Sequence, residues 1–296
     1  ARAAKAKRQP LRIEKPRHFG GHYPWFIDGL KRQLQEDERL GRTREARTQR
    51  LFEGGLRIHT TLDREMQVAA EQAVARWRPP SGPDIALVAI DPRDGGVRAV
   101  VGGRNWEKGS YNAALQGPGR QPGSSFKTFV LTAALDAGIS PDSVWESSGF
   151  DQMVCGTRWE VNNYEGGGSG PVSVRDATRR SVNGVYGRLM EKLCPDKVAD
   201  MAERLGIPNI PPGKRVPSMA LGSFEVRPID MASAYATLAN LGEYHKPTFF
   251  DTIDHRSGKP VIEEPSRPER RVSAALAWQV TDILKGVITG GTGVAA

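Results

Sequence analysis

Cysteine is scarce. Cys155 and Cys194 are the two in 296 residues, too few for a disulfide scaffold or a CxxC metal site. A single bridge between them suits an extracytoplasmic setting, and the sequence does not decide it. Of the five histidines, at 18, 22, 59, 245 and 255, the first two alone have metal-ligand spacing. Gly20 and Gly21 lie between them and break the rigid helix that spacing needs. No metal and no cofactor is expected. No apolar run approaches the 18 residues of a membrane span, and no secretory signal opens the chain. Aromatics make up 7% of the chain and do not interleave with basic residues, which excludes a nucleic-acid module.

What is present is a chain that can bury a substantial core, at 38% apolar, with a length that suits one large domain plus an appendage. The charge is lopsided. Residues 1–50 hold 14 Lys/Arg and 6 Asp/Glu, which accounts for the whole net charge of +8. Such a segment reads as a solvated basic linker with helical stretches, able to approach anionic headgroups or acidic wall polymers.

Hydrophobic periodicity outlines the elements. Tyr23 to Phe26, followed by Ile27, Leu30 and Leu34, predicts a short amphipathic helix. A second helix spans 64–77, with Met66, Ala69, Ala70, Ala73, Val74 and Trp77 as its buried face. Pro79 to Pro83 closes it. Ile85–Ile90 and Val97–Val101 read as a hairpin, as do Phe249–Ile253 and Pro260–Ile262. Between the hairpins the chain reads as mostly helical, with loops at 145–172 and 205–228, and a last amphipathic helix covers 272–288. Strands before and after a helical block predict an α+β fold.

The chemistry concentrates in Arg120-Gln121-Pro122-Gly123-Ser124-Ser125-Phe126-Lys127. Phe126, Phe129, Val130, Ala133, Ala134 and Ala137 mark a core helix that Gly138 stops. Ser124 falls at its N-terminus, where free N–H groups favour a developing negative charge. Lys127 lies one turn on, on the same face. The helix dipole disfavours its protonated form. A hydroxyl and an amine so placed are the minimum for covalent acyl transfer without histidine. Ser125, two residues from the lysine, points away. Ser181-Val182-Asn183 supplies a Ser-x-Asn downstream, the usual companion of Ser-x-x-Lys.

These motifs, in order with Gly55–Asp63, Ala86–Pro92, Val101-Gly102-Gly103, Tyr111–Ala114, Gly170–Ser173, Ala220–Ser223 and Met231–Ala236, resemble the transpeptidase domain of class A (bifunctional) penicillin-binding proteins over about residues 55–296. The resemblance implies a β-lactamase/transpeptidase-like fold: a five-stranded antiparallel sheet flanked by helices, with a helical subdomain across the cleft. It divides the chain into a linker region, 1–54, that follows a glycosyltransferase domain and membrane anchor, and a transpeptidase domain, 55–296. No Lys-Thr-Gly occurs. The chain ends at Thr289–Ala296, similar to the run that precedes that motif in the family, so the last three sheet strands are expected to be cut away. Their loss exposes a sheet edge. It also removes an oxyanion donor whose absence costs about 100- to 1000-fold in rate.

The resemblance further implies peptidoglycan cross-linking at the extracytoplasmic face of the membrane. Ser124 is the nucleophile, Lys127 its base, Ser181 the proton relay and Asn183 the group that binds substrate and orients the lysine. Stem peptides and β-lactams are the expected partners, together with cell-wall synthesis proteins. The competing readings are a β-lactamase-like hydrolase, for which Glu160 precedes rather than follows Ser181, and a non-catalytic β-lactam sensor or wall-binding module.

Overall fold

The computed structural model describes residues 22–77, 85–106, 111–164, 168, 170–263 and 267–295. The predicted Pro79–Pro83 stop and His18 lie outside them. Proline fixes the first turn of helix α1 (Pro24–Glu36), which turns Trp25, Phe26, Leu30 and Leu34 into the core. Thr43 caps α2 (Arg44–Glu53) by accepting from the Ala46 N–H. Strand β1 (Leu56–Thr60) then leads through the Asp63 cap into α3 (Arg64–Arg76).

The inward face of α3 differs from the predicted one. Met66 is 42% and Trp77 57% exposed, Ala69 and Ala73 are exposed as well, and the buried residues are Gln67, Ala70 and Val74. A strand edge explains the rotation. Strands β2 (Leu87–Ile90) and β3 (Val97–Val101) pair antiparallel, which leaves the peptide groups on the far side of β3 to be satisfied. Gln67 does this with one side chain: its Nε2 donates to the Val100 carbonyl at 2.9 Å and its Oε1 accepts from the Val100 N–H at 2.8 Å. A buried unpaired peptide group costs more than an alanine gains by burial, so the polar residue faces inward.

A 3-10 turn, Gly123–Phe126, runs directly into α4 (Lys127–Asp136), so the α-helix proper begins at Lys127 rather than at Ser124. Every residue from Lys127 to Ala134 is buried. The helix is thus central to the molecule, and of the predicted stripe Ala137 alone is exposed. Gly138, at φ +81°, ends it as expected.

The predicted loop at 145–172 instead holds four strands. Strand β4 (Val144–Glu146) pairs with β7 (Pro171–Ser173), and β5 (Phe150–Val154) with β6 (Thr157–Val161). The β5–β6 turn places Cys155 at φ +46° and Gly156 at φ +85°, the two left-handed residues of a tight hairpin. Cysteine is a poor signal for that conformation. It is held by a disulfide to Cys194, Cα to Cα 5.8 Å, which settles the pairing left open above.

Helices α5 (Val174–Arg179) and α6 (Asn183–Leu205) follow, with α6 kinked where Cys194 takes φ +61° before Pro195. The segment 205–228 carries two 3-10 turns, Pro212–Lys214 and Pro217–Leu221. The chain then forms α7 (Pro228–Ala239), β8 (Glu243–Tyr244), β9 (Phe250–His255), β10 (Pro260–Ile262), β11 (Glu269–Arg270) and α8 (Ala274–Gly290). The predicted β9–β10 hairpin gains β1 as a third strand, in the order β1-β9-β10, a pairing between distant segments that no local pattern announces.

Two hydrophobic cores result. A helical core gathers residues of α4, α5, α6, α7 and α8 around Phe129, Tyr186 and Met190. A sheet core joins Trp25, Phe26 and Leu34 to β3 and to Phe249, Phe250 and Ile253. The expected linker region thus contributes α1 to the sheet core, while residues 1–21, which carry half of its basic side chains, lie outside the described residues.

Gln67→Leu should destabilise the protein by about 3 kcal/mol, because it strands both peptide groups of Val100; an unmoved urea midpoint would refute that role. Reduction of the Cys155–Cys194 bridge, which closes a sequence separation of 39 residues, should cost about 2–4 kcal/mol, read as a lower melting temperature in dithiothreitol that the Cys155→Ser, Cys194→Ser double variant reproduces.

Candidate active site

The segment that presents Ser124 is clamped from behind. Arg120 and Val226 exchange backbone hydrogen bonds at 3.0 and 2.9 Å, and Gly123 takes the left-handed φ of +58° that turns the chain into the 3-10 helix. Phe126 is fully buried, against Phe129 and Phe224 at ring separations of 4.7 and 4.9 Å. These anchors leave Ser124 exposed, and among the described residues its Oγ has no hydrogen-bond partner. Ser125 is spoken for. Its Oγ donates to the Pro122 carbonyl at 2.7 Å, and its own carbonyl accepts from Tyr235 Oη at 2.7 Å.

Lys127 is 4% exposed. Its Nζ donates to Asn183 Oδ1 at 2.6 Å, to Ser181 Oγ at 2.9 Å and to the Ser181 carbonyl at 2.6 Å. Three acceptors match the three protons of an ammonium group. Burial pulls the pKa down from 10.5 to about 8. The acceptors oppose that shift by favouring the charged form, which leaves an amine that is protonated at rest and can lose its proton near neutrality. Beneath it lies the ring of Tyr186, its centroid 5.4 Å from Nζ. Tyr186 is completely buried, its hydroxyl within 2.7 Å of Thr178 Oγ1, and burial pushes its pKa up.

Ser181 sits at the joint between α5 and α6 with φ +57°. In that left-handed conformation both its carbonyl and its hydroxyl reach Lys127. A non-glycine residue there costs of order 1–3 kcal/mol, which the packing on either side must supply. Asn183, the first residue of α6, spends both ends of its amide: Oδ1 on Lys127 and Nδ2 on the Asn162 carbonyl at 2.8 Å. The structure therefore brings Lys127, Ser181 and Asn183 into one hydrogen-bonded group, with Ser124 one turn before the lysine. Sequence reasoning missed the Ser181 carbonyl, the Asn162 carbonyl and Tyr186. The first two are backbone groups without a side-chain signature. Tyr186 lay within sight, three residues beyond Asn183.

Glu160 is exposed and accepts from Asn162 Nδ2 at 3.0 Å, so it is occupied by a neighbour. Among the described residues no group of three His, Cys, Asp or Glu side chains could hold a metal, and no helix is long and apolar enough to cross a membrane. A cavity of about 900 Å³ lies between α1 and the segments around Tyr111, Arg227 and Lys246. None of the four candidate residues lines it, so volume alone would misplace the site.

A buried lysine held by a Ser-x-Asn, one turn from an open serine, sets the terms for comparison with known proteins. Residues 85–296 match the family described as Penicillin binding protein transpeptidase domain. Penicillin-binding protein 1A of Mycobacterium tuberculosis is 38% identical over 252 residues, 79% of this chain and 30% of that protein. Penicillin-binding protein 2D of Bacillus subtilis is 31% identical over 268 residues, 89% of this chain and 38% of that protein. The chain thus spans about a third of the length of these relatives. Among solved structures, PonA1 from Mycobacterium tuberculosis in complex with penicillin V superposes with a TM-score of 0.75 at 36% identity, covering 89% of this chain and 70% of that one. Motif order, site geometry and these alignments agree, and the chain belongs to the family of penicillin-binding protein transpeptidase domains, with the β-lactamase/transpeptidase fold that its structural neighbours share.

Proposed function

We propose that the chain is the D,D-transpeptidase part of a peptidoglycan synthase, working through a serine acyl-enzyme. The observation that carries this reading is the Lys127 amine gathered by Ser181 and Asn183 one helical turn from the exposed Ser124. Once Lys127 has lost a proton, it accepts the Ser124 hydroxyl proton. The alkoxide attacks the carbonyl between the two terminal D-alanines of a stem peptide. The tetrahedral oxyanion draws on the N–H of Ser124; the preceding N–H, of Gly123, is already given to the Gly222 carbonyl. As the C–N bond breaks, the proton held by Lys127 passes through Ser181 to the departing D-alanine, leaving an ester on Ser124. An amine of a neighbouring stem peptide then attacks that ester, forming the cross-link and returning the proton to Ser124. Asn183 holds the lysine through Oδ1, and the second N–H of its Nδ2 is left to hydrogen-bond the donor peptide. A β-lactam, with its strained amide, forms the same ester and blocks the second step.

The disulfide supports an extracytoplasmic location. We place the intact protein at the membrane's outer face, with residues 1–54 joining this domain to a preceding glycosyltransferase and anchor, among other cell-wall synthesis proteins. The sensor and hydrolase readings differ in the fate of the adduct.

In the longest gene product that contains this chain, fluorescent penicillin should form a long-lived adduct, and Ser124→Ala should abolish it; rapid release would point to a hydrolase, and no adduct at all would sink the acyl-transfer reading. Lys127→Met should slow acylation by about 100-fold or more. The pH profile follows from the sign of the lysine shift. The base is the neutral amine, its pKa is lowered to about 8, and the acylation rate should therefore rise with pH and reach half its plateau near 8 rather than near 10.5.

A further inference from the structure

Asn162 and Asn163, which follow β6 within the segment read from sequence as a loop, are both bonded to the groups around Lys127. The Asn163 carboxamide bonds in two directions: Nδ2 donates to the Ser147 carbonyl at 2.8 Å, and Oδ1 accepts from the Gly184 N–H at 3.1 Å. That N–H belongs to the first turn of α6, where helix donors have no partner within the helix. Asn163 thus caps α6 from a separate element. The fit is close, since a Cβ on Gly184 would come within 2.3 Å of the Ser147 carbonyl oxygen. One residue earlier, the Asn162 carbonyl holds Asn183 Nδ2. Two adjacent asparagines therefore fix the side chain of Asn183 and the backbone of Gly184 together. The hairpin behind them is tied down at its turn by Cys155–Cys194.

We propose that Asn163 is a positioning residue for acylation: by joining Ser147 to the first turn of α6 it keeps Asn183 Oδ1 on the Lys127 amine. This rests on the acyl-transfer reading above and adds to it a control point just beyond the β5–β6 hairpin. A merely structural asparagine would stabilise the fold without affecting the chemistry of the lysine. The groups that face Lys127 are Ser181 and Asn183 at the α5–α6 joint and the Tyr186 ring of α6. No carboxylate hydrogen-bonds the amine among the described residues, so a change in its titration reports on the water and amide around it.

The test compares Asn163→Ala with the unsubstituted protein in the longest gene product, using the second-order rate constant for acylation by fluorescent penicillin across pH, alongside thermal melting. We expect the rate to fall about 10- to 100-fold, as displaced catalytic groups commonly cost. We also expect the pH midpoint to rise from about 8 toward the ordinary lysine value, because a loosened Asn183 admits water that solvates the ammonium. A wild-type rate with an unmoved midpoint overturns the proposal. So does a loss of labelling that tracks the loss of folded protein alone. Asn163→Ser, a smaller cut, supplies the same two readings should the alanine variant not fold. Failure of the unsubstituted protein to label would instead refute the acyl-transfer reading itself.

Discussion

Lys127 takes its amine into a place that water does not reach, and much of the surrounding structure follows from meeting that demand. A buried ammonium without partners is prohibitively unfavourable. Here all three of its acceptors come from the short joint between α5 and α6. One is a carbonyl that can turn to the amine because Ser181 adopts a left-handed backbone, and another is an amide whose far end is tied to Asn162. The strain at Ser181 and the closeness of Gly184 to Ser147 are thus consequences of a single requirement.

The hydroxyl is handled in the opposite manner. Among the described residues no group hydrogen-bonds the Ser124 hydroxyl, while its surroundings are fixed: Arg120 by Val226, Phe126 by two aromatic rings, Ser125 by Pro122 and Tyr235. A rigid frame around an open hydroxyl keeps it accessible, and the proposed attack on a peptide carbonyl would need little rearrangement. Ser124 and Lys127 share a helix start, so their spacing is set by backbone geometry.

Much of this was legible in the sequence, and the gaps have physical causes. That Lys127 meets Ser181 and Asn183, with Ser124 one turn before it, was legible because Ser-x-x-Lys fixes a helical offset and Ser-x-Asn is its companion motif. The β2–β3 and β9–β10 hairpins and the terminal helix followed from periodicity. The face of α3 was misread because hydrophobicity ranks Met66 and Trp77 above Gln67, whereas the unpaired edge of β3 ranks an amide first. The β5–β6 hairpin was missed because its turn rests on a cysteine in a glycine-like conformation, held by a partner 39 residues away. The third strand of the β1-β9-β10 sheet and the carbonyls that bind the lysine and Asn183 depend on tertiary placement, which no local pattern encodes.

The division into two cores has a mechanical outcome. Phe126 and Phe129 beside the serine, Val174 and Ala177 before the joint, and Val185 and Tyr186 after it all belong to the helical core, whereas β2, β3 and the three-stranded sheet belong mainly to the other. Local opening of the sheet half should therefore leave the ammonium's ligands in place. Amide exchange would register such openings as a fast cooperative unit alongside a slow one, and the poised amine would travel with the slow one.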